Sequence, residues 1–245
     1  MRASALEFRL RVVIVTAILT LGFWAPWIEA WHIDQRRSVL AWLALGITRM
    51  GIADFRVSAA LAIVCAIAVS AVALALRLWG TAYLGAFTVH HGTMQAGTVM
   101  ADGPYRYVRN PLYLGTWAMT AAMGFAMPPS GALLALVLIT VFQLRLVLGE
   151  EDFLRQQLGA PYEAYLASVP RYLPRLRSTV ARGGTQPRWG FAVLSELNIL
   201  GVLVAYAVFA WSYNNWRIIQ AILVSFGLSL LVRALLPQPQ EPAQA

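Results

Sequence analysis

Long apolar runs separated by short polar stretches set the pattern of this chain. Residues 10–31 form the first run, preceded by Arg2, Arg9 and Arg11 and closed by Trp24, Pro26, Trp27 and Trp31. Basic flanks on one side and an aromatic belt on the other predict an uncleaved membrane helix. A cleaved signal peptide is the competing reading, for which the run is long. Residues 39–50 are too short to span, since about 20 apolar residues are needed, and predict an interfacial or re-entrant helix. Residues 57–79 are long enough, and their small side chains suit close helix packing. Two further runs, 112–127 and 131–148, flank Pro128-Pro129-Ser130 and predict a helical hairpin. A last hairpin is expected from 190–213 and 217–236, turned at Tyr213-Asn214-Asn215-Trp216. The tail from about 237 is Pro/Gln-rich and reads as disordered. The expected architecture is all-α: a polytopic integral membrane helical bundle of about six transmembrane helices plus short interfacial helices, one domain over 1–245.

The polar stretches carry the candidate chemistry. Residues 80–111 form a loop with some local order. Within it Gly103-Pro104 signals a turn, and Asn110-Pro111 predicts a helix start, with Asn110 at the N-cap and Pro111 in the first helical position. Arg106, Arg109, Tyr105, Tyr107 and Tyr113 therefore crowd the mouth of a membrane helix, where charge is costly without a partner or a role. A hairpin returns the chain to the side it left, so this loop and Glu150 are expected to face one compartment. Glu150 to Leu158 reads as a helix stopped by Gly159, and Pro161 opens a second short helix with Tyr162 and Tyr165 on one face. Val169-Pro170-Arg171 and Leu173-Pro174 end it in extended chain. Glu151 and Asp152 are expected to be solvated.

Composition narrows the class. The chain has 245 residues, 59% hydrophobic and 12% charged, which is too apolar for an ordinary soluble domain. Its net charge is +8, and its 19 cationic residues are all Arg. These are scattered between apolar runs, which suits anionic headgroups and argues against nucleic-acid binding. Arg171, Arg175, Arg177, Arg182 and Arg188 form the densest basic stretch and mark the cytoplasmic side. Six spans place both termini inside; Arg36, Arg37, Arg49 and Arg56 then fall outside, partly offset by Glu29, Asp34 and Asp54. The lone Cys65 excludes an internal disulfide, and His90-His91 shows no third metal ligand.

Two blocks carry a resemblance. GPYRYVRNPLYLG, at 103–115, and EEDFLRQQLGAPYEAYLASVPRYLP, at 150–174, together resemble the isoprenylcysteine carboxyl methyltransferase and phosphatidylethanolamine (phospholipid) methyltransferase family of membrane enzymes. The motif-bearing core lies at about 80–174. The resemblance implies methyl transfer from S-adenosylmethionine to a lipophilic acceptor in the bilayer, a carboxylate or amine of an isoprenoid or lipid. With the basic stretch marking the cytoplasmic side, the active site is expected at the cytoplasmic face of a bacterial inner membrane. The resemblance implies cofactor contacts at Tyr105, Asn110, Pro111, Leu112, Tyr113 and Glu150, and upstream at His90, Gly97, Thr98, Val99 and Met100. The usual residue at Asn110 is His, and Asn cannot titrate near neutrality. Arg145 falls one position from where the family has an Arg facing the substrate, so Arg145 and Glu150 are the expected catalytic pair, with Arg145 orienting the acceptor. An ion pair with a neighbouring helix, or snorkelling, is the alternative for Arg145. Tyr162, Tyr165, Val169 and Pro170 match the second block and read as packing. Two other readings stay open: an NADPH-dependent sterol-type membrane reductase, and a non-catalytic protein that keeps the fold.

Overall fold

The computed structural model describes residues 3–24, 37–84, 99 and 101–235. They are helical or irregular, with no strand among them. A short helix α1 (Ala5–Arg9) leads into α2 (Arg11–Phe23), followed by α3 (Val39–Arg49) and the long α4 (Phe55–Leu84). A 3₁₀ turn at Gly103–Arg106 precedes α5 (Pro111–Gly124), α6 (Pro129–Leu158) and α7 (Ala160–Ser168). An extended strap then leads to α8 (Trp189–Ser195), α9 (Leu197–Ser212) and α10 (Asn215–Leu235).

The expected six spans are corrected. Among the described residues only α4 and α6 are long and apolar enough to cross a membrane, or three spans if α8 and α9 count as one bent by 70°. The reason is helix length. The apolar run at 112–127 includes a non-helical turn, so α5 has 14 residues, about 21 Å at 1.5 Å per residue against a ~30 Å core. The run at 190–213 is broken at Glu196, whose side chain turns inward. The short 39–50 helix is found as expected. Residues 150–158, expected as a separate helix, continue α6 without a break, and Gly159 stops it at φ 58°.

The hairpin of α5 and α6 is held from both sides. On one side α2 crosses α6 so closely that a Cβ on Gly131 would strike the Gly22 carbonyl oxygen. Around that crossing Ile18, Met127, Ala135, Ile139, Phe142 and Leu146 form one apolar core, with Phe8 of α1. On the other side α4 packs against α3 and α9 through Leu40, Ala62, Ile63, Ala66, Val202 and Tyr206. Tyr206 donates its hydroxyl to the Ala122 carbonyl at 2.6 Å. The first amides of α3, from Val39 and Leu40, bond the carbonyls of Met127 and Phe125 at 2.9 and 3.0 Å, so the hairpin turn has its polar backbone satisfied inside the bundle. The motif-bearing ends of α5 and α6 are thereby brought together.

Candidate active site at the end of the hairpin

The two motif blocks interlock. Arg109 N donates to Pro170 O at 2.9 Å and Arg175 N to Tyr107 O at 3.0 Å. The Tyr165 hydroxyl donates to Tyr105 O at 2.9 Å, and Arg106 donates twice to Val180 O, at 2.9 and 2.8 Å. Tyr162, Tyr165 and Val169 form a buried cluster against Val99, Ala101, Leu154 and Val180. The tyrosines of the second block thus pack, as their spacing suggested. Burial raises the phenol pKa of Tyr162 and Tyr165, so both stay neutral.

Asp102 clamps the far end of the strap. Its Oδ1 accepts from Gly183 N at 2.7 Å and its Oδ2 from Thr185 N at 2.8 Å. Hydrogen bonds from Thr185, then from Gly183, hold its pKa below the ordinary 3.8. A depressed carboxylate contributes stability that is present above its unfolded pKa and lost as pH falls through the lower folded value. The clamp is therefore expected to hold down to about pH 4 and to open below that. Limited proteolysis across 178–188 at falling pH measures this, and Asp102→Asn should raise cleavage there at neutral pH. Equal cleavage of the variant and the parent protein would refute the clamp.

Between the interlocked blocks lies a cluster of charge. Tyr113 donates its hydroxyl to Glu150 Oε2 at 2.9 Å, across the hairpin. One position on, about 100° around the helix, Glu151 points to the first block and the strap. It accepts from Arg171 Nε at 3.0 Å and Nη2 at 2.7 Å and pairs with Arg109 Nη1 at 3.3 Å. Asn110 Nδ2 lies 3.3 Å from both Glu151 Oε1 and Arg171 O. The expectation that Glu151 is solvated is therefore overturned: it is 5% exposed and is the hub of the cluster. Asn110 occupies the N-cap position ahead of Pro111, but its side chain makes no capping bond; it reaches for the second block instead. Among the described residues, Arg109 Nε and the Tyr172 hydroxyl are buried without a partner. The Glu150 carboxylate bonded by Tyr113, two buried donors without a partner and aromatic side chains are the kinds of group that the amino-acid end of a ligand needs.

The remaining sequence-derived residues divide. Tyr105 is buried beside this cluster, its phenol pKa raised by burial and then by Glu150. Pro111 and Leu112 form the first turn of α5 and pack over Gly80 of α4. Val99 joins the Tyr162 cluster. His90, Gly97, Thr98 and Met100 lie outside the described residues. Arg145 does not join the Tyr113–Glu150 contact. Five residues before Glu150 is about 140° around the helix, and Arg145 there grips Glu7 of α1 by two bonds, Nε–Oε1 at 3.1 Å and Nη2–Oε2 at 3.0 Å. This pair lowers the Glu7 pKa to about 2, Arg145 first and the Ser4 amide second.

A second charged group escaped the sequence reading. Arg77 of α4 makes a bidentate pair with Glu196, Nε–Oε2 at 3.0 Å and Nη2–Oε1 at 2.8 Å, and the Thr81 hydroxyl adds a bond at 2.6 Å. Glu196 is 1% exposed. An acid inside the apolar run 190–213 was the available signal, since such residues seldom sit in a bundle without a partner.

The family model for phospholipid methyltransferase matches residues 55–160. The matched segment runs from the start of α4 into α7 and holds Arg77, the first motif block, Arg145, Glu150 and Glu151. This is the family that the two blocks resemble. No curated protein and no solved structure matches the chain.

Proposed function

We propose that this protein transfers a methyl group from S-adenosylmethionine to a lipophilic acceptor held in the bilayer. When bound, S-adenosylmethionine supplies an electrophilic sulfonium methyl group, open to in-line displacement without a metal. The chain's own residues supply position and dryness. Glu150 keeps one oxygen fixed by Tyr113 and offers the other to the cofactor's ammonium. Arg109 Nε and the Tyr172 hydroxyl are placed to take its carboxylate. Tyr105 and Tyr113 provide apolar walls, and the interlocked loop and strap exclude water. His90, Gly97, Thr98, Val99 and Met100 complete the adenosine side in this reading. Asn110 bonds Glu151 where the resembled enzymes use His, which joins the two blocks without a titrating group. The acceptor enters sideways from the lipid, and Arg145 orients its anionic part, taking it in exchange for Glu7. The basic strap keeps the site at the cytoplasmic face.

One observation carries this proposal: the Tyr113–Glu150 bond, which joins both motif blocks at one end of the hairpin inside the family-matched segment. Calorimetric titration of the detergent-solubilised protein with S-adenosylmethionine and with NADPH tests it. Methyl transfer from labelled cofactor to a membrane lipid extract completes the test. Binding of NADPH alone would establish the reductase reading, and cofactor binding without transfer the non-catalytic one.

Arg145 has its own expected result. Arg145→Lys keeps the charge but loses the planar fork that fixes an anion's orientation. Cofactor affinity is expected to stay within about twofold, while turnover falls roughly tenfold or more, the signature of an interaction made with the acceptor. Equal losses in both would remove the acceptor role from Arg145.

A further inference from the structure

The Arg77–Glu196 pair does more than join two helices. Arg77 spends its Nε and Nη2 on Glu196, which leaves Nη1 directed at α5, 3.3 Å from Thr116 Oγ1 and 3.5 Å from Leu112 O. Leu112 and Thr116 belong to the first turns of α5, the same turns that present Tyr113 to Glu150. The room for this approach is built in. A Cβ on Gly115 would lie 2.7 Å from Arg77 Cγ, and a Cβ on Gly80 would lie 2.6 Å from a Leu112 methyl. The Tyr105 hydroxyl also leans on this stretch, 3.5 Å from Gly80 O. Tyr105 is itself buried.

Glu196 lies outside the family-matched segment, at the break between α8 and α9. The 70° bend there turns it inward. The backbone is tied to the same place, because Arg188 N donates to Ala82 O at 2.8 Å. The C-terminal hairpin thus delivers a carboxylate to the site's supporting arginine.

We infer that Glu196 is a positioning residue for the active site: it orients Arg77, and Arg77 fixes the start of α5, with Tyr113 and Tyr105, against Glu150. This rests on the methyltransferase reading above. A guanidinium held by two donors of one edge on a single carboxylate is fixed in its plane, so its remaining Nη1 points in one direction. A shift of about 1 Å at a reacting centre costs on the order of a hundredfold in rate.

The experiment separates positioning from mere stability. Replacing a buried ion pair by apolar residues of similar size generally preserves the fold. Arg77→Met with Glu196→Leu is therefore expected to stay folded, with an unchanged thermal midpoint within a few degrees, yet to lose about a hundredfold in kcat. The reversed pair, Arg77→Glu with Glu196→Arg, restores the charges but points the guanidinium from the wrong helix. It is expected to keep a thermal midpoint near the parent's without recovering kcat. Glu196→Gln, which keeps shape, is expected to lie between. Turnover within threefold of the parent in either folded double variant would overturn the proposal. If the apolar pair does not fold, the reversed pair and Glu196→Gln still decide. A parent protein that binds no S-adenosylmethionine would defeat the methyltransferase reading itself, and that failure is seen before any variant is made.

Discussion

Glu151→Ala is expected to cost about 3 kcal/mol of stability, the low end of the range for removing one partner of a buried ion pair. Glu151 has almost no exposure and accepts from three side chains, those of Arg171, Arg109 and Asn110. Its loss leaves the Arg109 guanidinium, 12% exposed, without a counter-charge. Arg171 is 37% exposed and can rehydrate, which keeps the cost at the low end. Glu151→Gln retains shape and part of the bonding, and about 1–2 kcal/mol is expected. The first sign should be local: residues 160–188 should become protease-sensitive before the bundle melts, because Arg171 anchors the strap. A thermal midpoint in detergent and a timed proteolysis of both variants measure this. An unchanged midpoint in Glu151→Ala would show that the cluster is not structural.

Glu150→Gln is expected to leave stability nearly intact and to weaken S-adenosylmethionine binding by roughly 1.5–3 kcal/mol, the range for a hydrogen bond to a charged group. That corresponds to about 10- to 150-fold in Kd. Gln can still accept from Tyr113, so the hairpin contact survives; only the negative charge for the ammonium is lost. Tyr113→Phe should do less, because it frees Glu150 without neutralising it. Calorimetric titration against the parent protein gives the ratio directly. Unchanged affinity in Glu150→Gln would remove Glu150 from the cofactor site and with it the chief support for the methyltransferase proposal. The two variants change adjacent residues and are expected to fail differently. In the proposed reading, a step of about 100° around α6 gives Glu150 to the cofactor and leaves Glu151 to the scaffold.

Much of this arrangement was legible locally. Pro111 at the first helical position, Gly159 at the end of α6, the short helix after Gly159 and the hairpin turn before Pro129 all follow from single residues acting on neighbouring backbone. That Gly22 and Gly131 mark the crossing of α2 and α6 is visible only in the fold. Apolarity also overstated the spans. A hydrophobic run does not say where its helix begins, so residues 125–127 counted towards a span and turned out to be a turn.

Local patterns in the chain establish a helical, strongly apolar protein whose two motif blocks lie at the same end of a hairpin. Which partner each charged residue finds is set by the packing of the bundle. Arg145 finds Glu7, 138 residues away, Arg77 finds Glu196 at 119, and Asn110 finds Glu151 at 41. Periodicity and turn chemistry act over a few residues. In an apolar bundle a charge pairs with whatever opposite charge the packing brings within reach, because leaving it alone costs several kcal/mol, and no local pattern encodes that partner.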